Sequence, residues 1–147
     1  MLIMARSMDY PELLGKLSGK RVLIWTCNTC ARLCNNIGGT ESSERLAEKL
    51  REDGVEVVGA MSISASCLER KVMDRKEEAV SEKPDLILSL TCSIGSSVAE
   101  KVFGRDIINP IDTFGYGLLT GDGVPVLVRD GQGIPVDALS GRASPFI

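Results

Sequence analysis

The chain has 147 residues, of which 44% are hydrophobic and 25% are charged, and its formal net charge is −3. This length and composition are typical of one soluble globular domain and exclude a disordered chain. No apolar run in the sequence reaches the roughly 18 residues that a membrane span needs. A negatively charged chain also lacks the basic footprint of general nucleic-acid binding. We therefore expect neither a membrane nor a nucleic acid as a partner.

Sulfur is the most informative feature of the composition, because the chain has five cysteines and no histidine. The absence of histidine excludes Ser-His-Asp and Cys-His catalysis and any mixed Cys/His zinc site. The segment Met1 to Arg6 is too short and too soon interrupted by charge for a secretory signal. In the cytosol, cysteines more often bind metals or react in redox chemistry than form disulfides. We therefore expect a cytoplasmic protein whose chemistry runs through sulfur.

Apolar runs and helix signals alternate along residues 10–109. The continuous apolar run 22–26 is typical of a strand buried on both faces of a parallel sheet. Further strands are predicted at 55–60, 85–90 and 106–109, and helices at 10–17, 40–54, 68–81 and 96–103. Charged Glu56 places the second strand near a sheet edge. The predicted fold class is α/β, a three-layer Rossmann/flavodoxin-like fold with a mostly parallel sheet of about four strands.

The pattern changes after Pro110, where glycine-rich segments predict loops. These predicted loops are 114–117 and 120–123. Two short apolar runs then flank a glycine-rich turn at 130–133, which predicts a C-terminal β-hairpin. Its strands are predicted at 124–128 and 134–136, followed by a tail at 140–147. The predicted organisation is an α/β cysteine-cluster domain at 1–117, then the hairpin and tail at 118–147.

All five cysteines fall in segments that follow predicted strands. Cys27, Cys30 and Cys34 follow the first strand, Cys67 follows the second, and Cys92 follows the third. Because the carboxyl ends of parallel strands meet at one edge of the sheet, where such folds bind ligands, we expect the thiols to share a site.

Three or four thiolates without histidine suit a soft metal centre, either an iron–sulfur cluster or an all-cysteine zinc. Structural zinc usually takes two C-x2-C pairs, whereas this chain has one pair and further cysteines on separate loops. A [4Fe–4S] cubane accepts such distributed ligands more naturally. Cys27, Cys30, Cys67 and Cys92 form the simplest cage, and Cys34 is either a further ligand or a packed thiol.

Two alternatives to an iron–sulfur cluster stay open on the sequence alone. One is a structural four-cysteine zinc module that serves the assembly of a larger complex. The other is a thiol–disulfide enzyme using Cys27 and Cys30, whose C-x2-C spacing after a buried strand fits thioredoxin-like chemistry in outline.

The ordered set of cysteine motifs resembles a known family. Residues 26–34 read TCNTCARLC and are followed by a Gly-Gly pair, Cys67 follows EVVGAMSISAS, Cys92 lies in LILSLTCSIG, and INPIDTFGYG comes next. Over about residues 20–117, this set is similar to the small iron–sulfur (MetV-type) proteins of the methylenetetrahydrofolate reductase C-terminal domain family. Fuller members carry a second cysteine-rich segment near the C-terminus, whereas no cysteine follows Cys92 here.

The resemblance implies an electron-transfer subunit without catalytic residues of its own. Its cluster ligands would be Cys27, Cys30, Cys67 and Cys92, with Cys34 matching a further cysteine of the family. The implied partners are larger oxidoreductase subunits, such as a flavin-containing reductase, in an anaerobic hetero-oligomeric complex of one-carbon metabolism. That complex would be of the methylenetetrahydrofolate, methylene-tetrahydromethanopterin or heterodisulfide reductase type.

Apolar residues in the glycine-rich segment after Pro110 suggest how the protein meets its partner. They are Phe114, Tyr116, Leu118 and Leu119. Few local contacts can bury them, so we expect them either to dock onto a partner or to fold back over the cluster.

Overall fold

A computed structural model describes residues 1–129, 131–135 and 143–147. The strands of this part are β1 (Leu2–Arg6), β2 (Arg21–Cys27), β3 (Glu56–Ile63), β4 (Leu86–Leu90), β5 (Asp106–Ile108), β6 (Ile111–Leu119), β7 (Pro125–Arg129) and β8 (Gln132–Pro135). Its helices are α1 (Tyr10–Leu17), α2 (Cys30–Leu33), α3 (Thr40–Glu52), α4 (Glu69–Met73), α5 (Lys76–Ser81) and α6 (Ser93–Phe103).

A four-stranded parallel sheet with the order β3-β2-β4-β5 forms the centre of the fold. This confirms the predicted α/β class and parallel sheet. The apolar run of β2 is buried because the strand has neighbours on both sides and side chains packed on both faces. β3 lies at the sheet edge, as Glu56 predicted, and its exposed carboxylate pairs with the Arg21 guanidinium at 2.5 Å.

Two hydrophobic cores lie on opposite faces of this sheet. Val22 and Ile24 of β2 belong to the first core, together with buried residues of α1, α3 and β1. Leu23 and Trp25 belong to the second core, together with buried residues of α5 and α6. In that second core the Trp25 ring meets the Phe103 ring edge to face, with the ring centroids 4.9 Å apart. The alternation of side chains along β2 therefore joins both cores through one strand.

A second, antiparallel sheet with the order β1-β6-β7-β8 corrects the prediction for the C-terminal region. The predicted hairpin is present as β7 and β8, but it is not isolated, because β7 also pairs with β6. The expectation of loops at 114–117 is wrong, since these residues lie within β6 and pair with β1 near the start of the chain. The register places Leu2 opposite Tyr116.

Close packing explains why glycine occurs within β6. A Cβ atom at Gly117 would collide with the Val126 carbonyl oxygen and with the Ile3 side chain. Only a residue without a side chain lets β1 and β7 approach at this point. Gly117, which suggests a loop in the sequence, therefore marks a close contact within a sheet.

Two helices also differ from their predicted bounds. The helix predicted at 68–81 divides into α4 and α5, and at the break the Arg75 guanidinium donates to the Ser62 carbonyl oxygen at 2.8 Å. The helix predicted at 96–103 begins three residues earlier, at Ser93, because Cys92 acts as its N-cap.

Parts of some predictions lie outside the described residues. These are Asp130 of the predicted hairpin turn, Val136 of its second strand, and 140–142 of the tail. The predicted boundary between residues 117 and 118 falls inside β6, and the division into two units stays a prediction. Among the described residues, no helix has the length and apolar character required to cross a membrane.

Replacing Gly117 by alanine should lower the free energy of unfolding by about 1–3 kcal/mol, because the added methyl group overpacks the junction of β1, β6 and β7. Urea denaturation followed by circular dichroism measures this change. Gly121→Ala is the matched control, since a Cβ there meets no atom within 4 Å. Equal stability of the two variants would contradict the close packing at Gly117.

Candidate metal centre

Four of the five cysteines line one cavity at the carboxyl edge of the parallel sheet. Cys27 ends β2, Cys30 begins α2, Cys67 lies in the loop after β3, and Cys92 follows β4. The cavity has a volume of about 270 Å³. Strands β3 and β4 lie on opposite sides of β2, so the direction in which strands are added to the sheet reverses at β2. The cavity lies at this reversal, which is where α/β sheets bind ligands. Four of the five cysteines therefore line one cavity, and their shared role as metal ligands stays a prediction.

The antiparallel sheet forms a further wall of this cavity. Met1 and Leu2 line it from the start of the chain, and Tyr116 lines it from β6. The surface that faces the cavity is almost entirely apolar. Sequence reasoning did not assign Met1 and Leu2 to the site, because their position depends on pairing between β1 and β6.

The four thiols differ in their exposure to solvent. Cys27 and Cys92 are only 8% and 9% exposed, Cys30 is half-buried, and Cys67 is exposed. The cavity therefore reaches the protein surface beside Cys67, while its other thiols lie deeper.

Backbone groups form hydrogen bonds with three of the sulfur atoms. The Leu2 N–H donates to Cys30 Sγ at 3.4 Å, and the Gly95 N–H donates to Cys92 Sγ at 3.5 Å. The Cys27 thiol donates to the Ser64 carbonyl oxygen at 3.5 Å. The Gly95 N–H favours the charged form of the Cys92 sulfur, which is the form that binds metals.

Cys92 is buried at the N-terminus of α6. Burial raises the pKa of the Cys92 thiol, and the N–H groups of Gly95 and Ile94 oppose part of that rise. The neighbouring thiols of Cys30 and Cys27 raise this pKa further, because a second negative charge nearby is unfavourable. Cys92 is therefore a neutral thiol near neutral pH, and a metal that binds it must displace its proton.

A buried chain of hydrogen bonds holds the Cys67 loop in place. The Trp25 indole N–H donates to Ser66 Oγ at 2.9 Å, and the Ser66 hydroxyl donates to the Gly95 carbonyl oxygen at 2.8 Å. Ser66 thus connects β2 and α6 directly beside Cys67. The sequence analysis missed Ser66. The available signal was the buried tryptophan, because an indole N–H inside a core usually has a hydrogen-bond partner.

Thr26 fixes the turn that returns the chain from α2 to α3. Its hydroxyl donates to the Leu90 carbonyl oxygen at 3.0 Å and accepts from the Gly39 N–H at 2.7 Å. A Cβ at Gly38 would lie 2.6 Å from the same Leu90 oxygen, so the turn requires glycine there. The loop carrying Cys30 is therefore closed tightly onto the ends of β2 and β4.

Cys34 differs from the other four cysteines in its position relative to the cavity. It is 1% exposed and does not line the cavity. Its thiol donates to the Met4 carbonyl oxygen at 3.2 Å, and the Met4 N–H donates to its sulfur at 3.5 Å. The structure thus brings together Cys27, Cys30, Cys67 and Cys92 and directs Cys34 toward the backbone of β1.

The thiols surround the cavity without meeting at one point. Among the described residues, which include all five cysteines, no three or more Cys, Asp or Glu side chains are grouped so that they could hold a metal ion. The donor chemistry nevertheless fits a thiolate-bound centre, since four cysteines from three loops line one apolar space.

The apolar residues after Pro110 differ in their burial. Phe114 packs against the first core, whereas Leu118 and Leu119 are exposed. Tyr116 lines the cavity and is still 78% exposed. The segment therefore borders the cysteine cavity and also presents apolar groups to solvent.

Comparison with known proteins finds no match: no family model matches the chain, and no curated protein or solved structure is significantly similar to it. The resemblance in the cysteine motifs therefore stays a hypothesis.

In the reduced, metal-free protein, iodoacetamide should label the exposed Cys67 first and the fully buried Cys34 last. Labelling of Cys92 should rise only at a pH above that needed for the same thiol in the urea-unfolded chain. The physical reason is that burial raises its pKa and so keeps the thiol protonated to higher pH. Peptide mass spectrometry over a pH series measures both results, and labelling of folded Cys92 at a lower pH than in urea would contradict them.

Proposed function

We propose that the protein binds a [4Fe–4S] cluster through Cys27, Cys30, Cys67 and Cys92 and transfers electrons within an anaerobic redox complex of one-carbon metabolism. The observation that carries this proposal is the position of these four thiols around one cavity. A cluster of this kind supplies one-electron transfer when it is bound. The chain itself supplies the thiolates, the apolar surroundings and the N–H groups that contact the sulfur atoms.

The donor set supports an iron–sulfur cluster more than a single zinc ion. Zinc needs its four thiolates at about 2.3 Å from one point, and structural zinc sites usually obtain them from two C-x2-C pairs. Here one pair is combined with single cysteines from two other loops. In a cubane each thiolate binds a different iron, so ligands from separated loops are accommodated. A structural zinc module that serves assembly is the alternative outcome of the metal analysis below.

The finer architecture that we propose is Rossmann/flavodoxin-like. Counted within the parallel sheet alone, the strands have the order 2-1-3-4, which is the beginning of the flavodoxin-like order. The cores on both faces of the sheet support a three-layer arrangement. Free thiols and an oxygen-sensitive cluster both suit the reducing cytoplasm, where we place the protein.

The partners that we propose are larger oxidoreductase subunits, such as a flavin-containing reductase. A cluster protein needs a donor and an acceptor, and electrons have the shortest route where the cavity reaches the surface beside Cys67. Exposed apolar side chains of Tyr116, Leu118 and Leu119 lie on the strand that borders the cavity. Such groups are typical of contact surfaces between proteins.

Anaerobic purification should yield a brown protein with about four iron and four sulfide ions per chain. Reduction with dithionite should produce an electron paramagnetic resonance signal of a reduced cluster. Stoichiometric zinc without visible absorption would favour the zinc module. A protein that stays free of iron after reconstitution with iron and sulfide would contradict the proposed function.

Cys92→Ala should lose most of the bound iron, because it removes a buried thiol from the cavity wall. Ser93→Ala is the matched control, since Ser93 is the exposed neighbour of Cys92 and does not line the cavity. Iron and sulfide analysis of both variants under identical reconstitution measures the difference. Full iron content in Cys92→Ala would remove Cys92 from the ligand set.

A further inference from the structure

Two sulfur atoms, one from the first residue of α2 and one from its C-cap residue, face the free edge of β1. Cys30 Sγ accepts the Leu2 N–H at 3.4 Å, and Cys34 Sγ accepts the Met4 N–H at 3.5 Å. The Cys34 thiol also donates to the Met4 carbonyl oxygen at 3.2 Å. Cys34 therefore contacts both backbone groups of one strand residue, as a neighbouring strand would.

The spacing of the two cysteines matches the spacing of the strand. Four residues along an α-helix advance by about 6 Å, and two residues along a β-strand advance by about 6.7 Å. Cys30 and Cys34 are one helical turn apart, and the Cys34 N–H donates to the Cys30 carbonyl oxygen at 2.9 Å. The C-x3-C spacing therefore separates the two sulfur atoms by about the distance between the N–H groups of two strand residues that are two positions apart.

The opposite edge of β1 is already occupied by β6. Met1 and Gly117 exchange backbone hydrogen bonds of 3.0 Å and 2.8 Å. Because alternate residues of a strand point their backbone groups to opposite edges, Leu2 and Met4 face away from β6. β1 is the terminal strand of its sheet, so sulfur takes the place of a missing neighbour strand at this edge.

We propose that Cys34 is a positioning residue and not a metal ligand: it fixes the register of β1 on α2 and thereby holds the Leu2 N–H on the sulfur of Cys30. This inference rests on the proposed function in one respect, the effect on a cluster bound through Cys30. A hydrogen bond to a ligating sulfur stabilises the negative charge added on reduction, and so raises the reduction potential. Strand β1 therefore contributes to the reduction potential of the centre.

Substitutions at Cys34 test whether it is a ligand or a positioning residue. Cys34→Ala should retain the iron content of the unchanged protein but shift the midpoint potential to more negative values. Cys34→Ser keeps a hydrogen-bond donor and acceptor at this position, so its midpoint potential should be close to that of the unchanged protein. Val22→Ala is the control for lost core volume, because Val22 is fully buried at the other end of β2, and it should leave the potential unchanged.

Substitutions at Leu2 test the hydrogen bond directly. Leu2→Pro removes the N–H, and the ladder with β6 loses no donor because this N–H faces away from it. Leu2→Ala shortens the side chain but keeps the N–H. Redox titration followed by electron paramagnetic resonance should give a more negative midpoint potential for Leu2→Pro than for Leu2→Ala.

Two results would overturn the inference while leaving the proposed function intact. Loss of iron in both Cys34→Ala and Cys34→Ser would make Cys34 a ligand. An unchanged potential in Cys34→Ala and Leu2→Pro would show that β1 does not tune the centre.

Hydrogen exchange separates failure of the inference from failure of the proposed function. In the metal-free protein, the Met4 amide should be protected from exchange, and Cys34→Ala should reduce that protection whereas Val22→Ala should not. Unchanged protection in Cys34→Ala would refute the positioning role, whether or not the unchanged protein binds iron.

Discussion

Parallel pairing of β2 with β3 on one side and β4 on the other fixes the position of every thiol in the cavity. In this register Cys27 lies opposite Ile63, and Thr26 lies opposite Leu90, so three segments leave the sheet at the same level. The cysteines line one cavity because the sheet brings their backbones to one edge. The hydrogen bonds of Thr26 and Ser66 then close the loops between these segments.

The antiparallel sheet contributes a different property, which is enclosure. β1 lies between β6 and α2, and the cavity is walled by Leu2 from one strand and Tyr116 from the other. Apolar walls keep water from most of the sulfur atoms, while Cys67 stays exposed. Burial of charged sulfur is costly, and N–H donors such as that of Gly95 offset part of this cost. The parallel sheet thus positions the thiols, and the antiparallel sheet encloses them.

Local patterns in the sequence were sufficient for the parallel sheet and for the shared position of the thiols. The apolar run 22–26 is typical of a strand buried on both faces, and cysteines that follow parallel strands fall at one edge of the sheet. Strand β6 could not be predicted in this way, because the need for glycine at Gly117 comes from packing against Val126 of the next strand and against Ile3, which lies near the start of the chain. The sequence could not decide whether Cys34 is a ligand or a packed thiol, because its contact is with Met4 of β1, whose position depends on the antiparallel sheet.

The pairing of β1 with β6 also has a consequence for the order of folding. Met1 and Gly117 are 116 residues apart in the chain, so the contact between them closes a very long loop. A contact of this separation carries a large entropic cost of loop closure, so we expect it to form after the local βα units have assembled. During synthesis, Cys27, Cys30, Cys67 and Cys92 all emerge before β6 does. We therefore expect an interval in which the parallel sheet has gathered the thiols and the wall of the cavity is still open. An inserted centre would enter most easily then, before the last quarter of the chain closes over it.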